Sequence, residues 1–164
     1  MPRFYWENSV FVAWLNREAG RFDVCDAILR AAEKGEVHIV TSAITLVELF
    51  GYSLRDLQDG NITLDRMQEI ERRIDDLFQV EYIGIVSVDR LIARRAHDLR
   101  RDVSQLRNRR KLPDAIHLAS ALHTAVDEMH TYNNDDLVQL SPFSGLKIVE
   151  PHWEVQLSLL EEEP

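Results

Sequence analysis

Glu48 is the only charged side chain between His38 and Arg55, and its neighbours Ile44, Leu46, Val47, Leu49 and Phe50 are apolar. A carboxylate in such surroundings loses hydration worth several kcal/mol unless a counter-charge, hydrogen bonds or a metal ion replace it. Further acids invite the same question. Glu7 is the only charged residue between Arg3 and Arg17, Asp114 follows Pro113, and Asp135 or Asp136 closes the polar run that starts at Asn133. Each has an ordinary explanation by itself: Glu7 pairs with an arginine, Glu48 reaches solvent along its stem, Asp114 suits a helix dipole, and Asp135 or Asp136 caps a turn.

The elements that carry these acids make a joint explanation stronger. Arg3 to Trp6 reads as a strand, and Val10 to Leu15 as a helix capped by Asn8 or Ser9. Phe22 to Lys34 has helical spacing with Gly35 at the stop, Val37 to Thr41 is a β-branched strand, and Ser42 opens a buried helix over Ala43 to Phe50 that Gly51 closes. A loop from Asp56 to Thr63 leads to an amphipathic helix marked by Met67, Ile70, Ile74, Leu77 and Phe78. Tyr82 to Val86 is the third strand. A basic helix follows, then a helix begun by Pro113 whose apolar stripe is Ala115, Leu118, Ala119, Leu122 and Val126, with Asp114, His117, Ala121 and Thr124 on a different stripe. Met129 to Tyr132 and Lys147 to Val149 complete four to five strands. Strands alternating with helices predict an α/β fold, a mostly parallel sheet with helices on both faces, over residues 1–150, followed by an acidic tail over 151–164.

In such a sheet, ligands bind at the carboxyl ends of the strands, where the acids would converge. Hard divalent cations, Mg²⁺ or Mn²⁺, take this kind of oxygen cluster. Phosphodiester hydrolysis is the natural chemistry of such a centre.

Composition narrows the rest. The 164 residues suit one domain, and a single cysteine, Cys25, in a predicted buried helical face, excludes an internal disulfide and fits a reducing, cytoplasmic compartment. No apolar run approaches the roughly 18 residues that span a bilayer, and no secretory leader is expected. The formal charge is −9, yet nine of the 19 basic residues lie between Arg90 and Lys111. Arg107, Arg109, Arg110 and Lys111 immediately precede Asp114 and are the candidate contacts to nucleic-acid phosphates, against the plainer reading of a solvated helix face. The six histidines lack the close-set pairs of a zinc site, and only His117, three residues after Asp114, is placed to orient a carboxylate or touch phosphate. Neither a GxGxxG nor a Walker A run occurs.

Four segments together carry a resemblance: Tyr5-Trp6-Glu7-Asn8-Ser9-Val10-Phe11, Thr41-Ser42-Ala43-Ile44-Thr45-Leu46-Val47-Glu48, Leu112-Pro113-Asp114-Ala115-Ile116-His117-Leu118-Ala119 and Thr131-Tyr132-Asn133-Asn134-Asp135-Asp136-Leu137. They resemble a PIN domain, and more narrowly the VapC-like toxin ribonucleases. The resemblance spans Phe4 to about Val149, and its most specific piece runs from Pro113 to Ala119. It implies a Mg²⁺- or Mn²⁺-dependent endonuclease of single-stranded RNA, paired with an antitoxin protein and assembled as a homodimer. The acids map onto Glu7, Glu48, Asp114 and a fourth group among Asn133, Asp135 and Asp136. The Asp-Leu pair at 136–137, similar to the family's Asp-Phe ending, favours Asp136. Asn8, His117, Thr131 and Asn133 stand around them.

Glu7 departs from the Asp usual in that family, which puts an added methylene where Mg²⁺ requires near-octahedral geometry. A silent PIN-like module that binds RNA or protein is therefore the competing reading. A phosphatase-like domain fares worse, since no Asp-x-Asp follows the first strand. For assembly, Leu46 to Phe50 and Met67 to Phe78 are the expected surplus apolar faces.

Overall fold

The computed structural model describes residues 1–153. Five parallel strands form one sheet: β1 (Arg3–Trp6), β2 (His38–Ser42), β3 (Ile83–Val86), β4 (Glu128–His130) and β5 (Lys147–Val149), in the spatial order β3-β2-β1-β4-β5. The chain leaves β1 toward β2 and β3, then returns to add β4 and β5 on the other side. That reversal opens a crevice beyond the carboxyl ends of β1 and β4.

Strand alternation divides the core. Tyr5, Val40, Met129 and Ile148 face α5 (Arg90–Asp102) and α6 (Leu112–His123). Phe4, Trp6, Ile39 and Ile83 face the other way, in one cluster with residues of α1 (Asn8–Leu15), α2 (Phe22–Glu33), α3 (Ala43–Gln58) and α4 (Leu64–Phe78). Each fully buried side chain among these, Trp6 and Leu118 included, contributes about 1.5–3 kcal/mol of burial. A last turn, α7 (Ser141–Ser144), precedes β5.

The α/β architecture is the expected one, and four local expectations are corrected. Glu7, not Asn8 or Ser9, caps α1, because its side chain accepts the Ser9 N–H. Gly51 does not end α3, which continues to Gln58 with Thr45, Leu49 and Ser53 buried while Val47 is 71% exposed. Helix α6 is not buried on a single stripe: Ala115, His117, Leu118, Ala119, Ser120 and Ala121 are all buried, because α6 packs against α5, β2 and α3. Strand β4 ends at His130, so Thr131 and Tyr132 belong to the loop beyond it.

At the helix stop after α2, Gly35 takes a φ of 74°, where a side chain would be strained. Cys25 is buried as expected. Trp153 packs edge-on against Phe4, and residues 154–164 of the expected acidic tail lie outside the described residues. No described helix is long and apolar enough to cross a membrane.

Candidate active site

Glu7 stands at the crevice because it is the first residue after β1, and its backbone N–H still donates to the His130 carbonyl at 3.1 Å. Its carboxylate is 4% exposed as a residue and is held through Oε2, which accepts from the Ser9 amide (3.1 Å), the Ser9 hydroxyl (2.5 Å) and the Thr131 hydroxyl (2.9 Å). Those hydroxyls in turn accept the amides of Tyr132 and Asn133. The loop after β4 is thereby tied to the start of α1. Asn8 is buried beside it, and Glu7, Asn8, Ser9, Tyr132 and Asn133 line part of a cleft of about 320 Å³ that also reaches Arg21 and Tyr52.

Glu48 comes from the second turn of α3 and is less buried than its apolar neighbours suggest, with 22% of its side chain exposed. Its Oε2 lies 2.7 Å from Nε2 of His117, whose Nδ1 lies 2.8 Å from the Tyr5 hydroxyl. His117 is fully buried, so this chain of contacts fixes the ring plane. Burial keeps the Tyr5 hydroxyl protonated, well above its ordinary range. Single ligand atoms of Glu7, Glu48 and His117 lie within 4.8 Å of one another.

Asp114 sits in the first turn of α6 with 14% of its side chain exposed. Its pKa is pushed up to about 6, first by burial, and further by the charges of Glu7 and Asp136, against the opposing charge of Lys111. Lys111 Nζ is 3.8 Å from Asp114 Oδ2 and in direct contact with Asp136 Oδ2. The four acids thus fall into two groups: Glu7 and Glu48 with His117, and Asp114 with Asp136 across Lys111. Asp135 is exposed, and Asn133 lines the cleft with its amide on Thr131.

The basic stretch is less uniform than its composition. Arg94 and Arg101 pair with Asp98, Arg101 also pairs with Asp102, and Arg100 donates to the carbonyls of Leu106 and Arg107. Arg107, itself exposed, donates to the Arg101 carbonyl. Arg109 and Arg110 project from a short 3₁₀ turn (Arg109–Lys111) next to Asp114 and are exposed.

The residues present fit a hard divalent cation. All four acids supply oxygen, burial and the charges of Glu7 and Asp136 push the Asp114 pKa up, and an ammonium from the chain itself stands against Asp114 and Asp136. Sequence reasoning missed three contributors: Ser9 as an anchor, Tyr5, and the cationic role of Lys111 within the cluster. The Glu7-x-Ser9 spacing was a legible signal for Ser9. A tyrosine in a buried strand gave none.

The chain is a five-stranded parallel α/β domain with acids at its crevice, and a family model, PIN domain, matches residues 5–141. The chain belongs to the PIN domain family. No curated protein matches it. It is similar in fold to VapBC2 of Rickettsia felis, bound to a DNA fragment from its promoter (14% identity over 89% of this chain and 96% of that one, TM-score 0.65). It is also similar to a toxin–antitoxin complex of Klebsiella pneumoniae (21%, 92% and 98%, 0.59) and to VapC20 of Mycobacterium tuberculosis, a toxin that cleaves the sarcin–ricin loop (12%, 83% and 94%, 0.60).

Proposed function

We propose that the chain is a Mg²⁺- or Mn²⁺-dependent endoribonuclease of single-stranded RNA, the toxin of a toxin–antitoxin pair, acting in the cytoplasm as a homodimer. The observation that carries this reading is the position of Lys111: a chain-borne cation against Asp114 and Asp136, in the crevice of a PIN domain sheet. Glu7, Glu48, Asp114 and Asp136 would hold the metal. When bound, it supplies Lewis acidity toward the phosphate and a more acidic water.

The chain's own residues do the remainder. Ser9 and Thr131 fix Glu7, while His117, braced by Tyr5, fixes Glu48, so neither carboxylate must reorganise when substrate arrives. Asn8 and Asn133, at the cleft wall, offer neutral donors to the ribose-phosphate chain. Arg109 and Arg110, with Arg107 and the displaced Lys111, neutralise neighbouring phosphates.

Toxin–antitoxin complexes among the similar folds support an antitoxin partner. The expected apolar faces need revision in support of the homodimer. Leu46, Phe50, Ile70, Ile74, Leu77 and Phe78 pack into the core, whereas Val47, Tyr52, Leu54 and Leu64 are exposed on α3 and α4 and offer the surface.

A silent binding module is the second reading, favoured by the three donors already taken by Glu7 Oε2. Incubation of single-stranded RNA with wild type and Asp114→Asn, in Mg²⁺, Mn²⁺ or EDTA, separates the two. Cleavage by wild type in either metal, lost with EDTA and in Asp114→Asn, supports the enzyme. RNA bound and left intact in both metals supports the module.

A further inference from the structure

On the sheet face opposite Tyr5 and His117, β4 presents Glu128 and His130, paired in register with Phe4 and Trp6 of β1 and with Lys147 and Val149 of β5. Three residues past β5 the chain brings His152 over the same spot. Glu128 Oε2 lies 2.8 Å from His152 Nε2 and 3.3 Å from His130 Nε2, and single ligand atoms of all three residues lie within 4.8 Å of one another. The histidines are 22 residues apart in sequence, so no close-set pair announced them; the parallel β4–β5 register creates the group.

Hydrogen bonding inside the cluster does not satisfy it. His130 is fully buried and its Nδ1 has no partner. With the proton on Nε2, the Nδ1 lone pair is unmatched; with the proton on Nδ1, the Nε2 lone pair faces a carboxylate oxygen. Either tautomer leaves one imidazole lone pair without a hydrogen. Burial also holds the ring neutral, lowering its pKa to about 4. Burial would raise Glu128, but Lys147 (2.6 Å from Oε1) and the two imidazoles keep it below the usual carboxylate range and ionised.

The geometry points to a second metal site, distinct from the acidic centre: Glu128, His130 and His152 bind a divalent ion of borderline softness, Zn²⁺ above all, through two imidazoles and one carboxylate. Ligands at about 2.0–2.2 Å in a tetrahedron are about 3.3–3.6 Å apart, and Glu128 and His130 already stand at 3.3 Å. His152 is 51% exposed and free to withdraw from 2.8 Å by the roughly 0.5–0.8 Å that such an edge requires. Neutral imidazoles select such an ion over Mg²⁺. The three ligands leave one position for water, and the ion would fasten the segment after β5 to β4. His152 and Lys147 lie beyond the residues matched by the family model, so the site belongs to this chain rather than to the PIN fold.

Co²⁺ and Zn²⁺ are the probes, with the full chain. Glu48→Gln removes the other carboxylate–imidazole group from consideration. Tetrahedral Co²⁺ bands in the visible are expected in wild type and in Glu48→Gln, and are expected to vanish in Glu48→Gln/His152→Ala. Zn²⁺ affinity by calorimetry should fall at least tenfold in His152→Ala, an exposed position whose truncation leaves the core intact, and Zn²⁺ should raise Tm in wild type but not in that variant. Lys147→Ala removes the competing ammonium and should tighten Zn²⁺ severalfold. Absence of bands in wild type at saturating Co²⁺, bands lost with Glu48→Gln alone, undiminished binding in His152→Ala, or no gain in Lys147→Ala would each overturn the assignment.

Discussion

His117 Nε2 stands 2.7 Å from Glu48 Oε2, and no other described contact fixes that carboxylate. The imidazole is itself held from behind by the Tyr5 hydroxyl at 2.8 Å. Orientation of Glu48 is thus set from inside the core, by a residue of the central strand acting through α6. Loss of such a partner to a metal-binding carboxylate costs about 10–100-fold in metal affinity. His117→Gln should weaken Mn²⁺ binding in that range by calorimetry. Tyr5→Phe, which keeps the ring and removes the hydroxyl, should give a smaller loss in the same direction. Equal affinity in wild type and both variants would mean that the relay is only packing.

Lys111 predicts opposite effects on metal and on RNA. Its ammonium neutralises Asp136 and Asp114 and must leave for a divalent ion to enter. Lys111→Ala should therefore bind Mn²⁺ several-fold more tightly than wild type, melt at a lower temperature in EDTA from unrelieved repulsion, and bind RNA more weakly. Weaker Mn²⁺ binding in this variant would contradict its role as an internal counter-ion.

Asp114 couples the site to pH. Its folded-state pKa of about 6 exceeds the ordinary 3.8, so the folded chain takes this proton more readily than the unfolded one. Stability from this group falls as pH rises from 3.8 to about 6, and the whole penalty, on the order of 1–3 kcal/mol, is present above that. Asp114→Asn should raise Tm at neutral pH in EDTA, with the gain shrinking toward acid pH, while abolishing cleavage. Urea melts across that range check the sign; a variant less stable than wild type at neutral pH contradicts it.

Arg109 and Arg110 carry the phosphate contact in this account. Because ssRNA affinity changes with log[salt] at about 0.7 per neutralised phosphate, Arg109→Glu/Arg110→Glu should lower the slope by about 1.4 or more and weaken binding at low salt. Arg94→Glu, at a position already paired with Asp98, should change neither greatly.

Legibility followed locality. The strands were readable because short β-branched and aromatic runs alternate with helical spacing, and parallel pairing follows from crossover length. Gly51 misled, because a glycine inside a helix costs only about 1 kcal/mol and the packing of α3 on α4 exceeds that. Glu7, Glu48 and Asp114 stood out as lone acids in apolar or helix-start settings. What could not be read were pairings made by the fold: Lys111 with Asp136, His117 with Tyr5, and Glu128 with His152, each joined by topology rather than by spacing.

In the proposed reaction these carboxylates support attack by water on an RNA phosphodiester. The chemistry of the RNA ends distinguishes that route, because water attack leaves a 3′-hydroxyl and a 5′-phosphate, whereas attack by the ribose 2′-hydroxyl leaves a 2′,3′-cyclic phosphate and a 5′-hydroxyl. Mass spectrometry of single-stranded RNA cleaved by wild type in Mn²⁺ should find 5′-phosphate ends, and none with EDTA or with Asp114→Asn. Cyclic phosphate ends, or 5′-phosphate ends that persist in EDTA, would contradict the account.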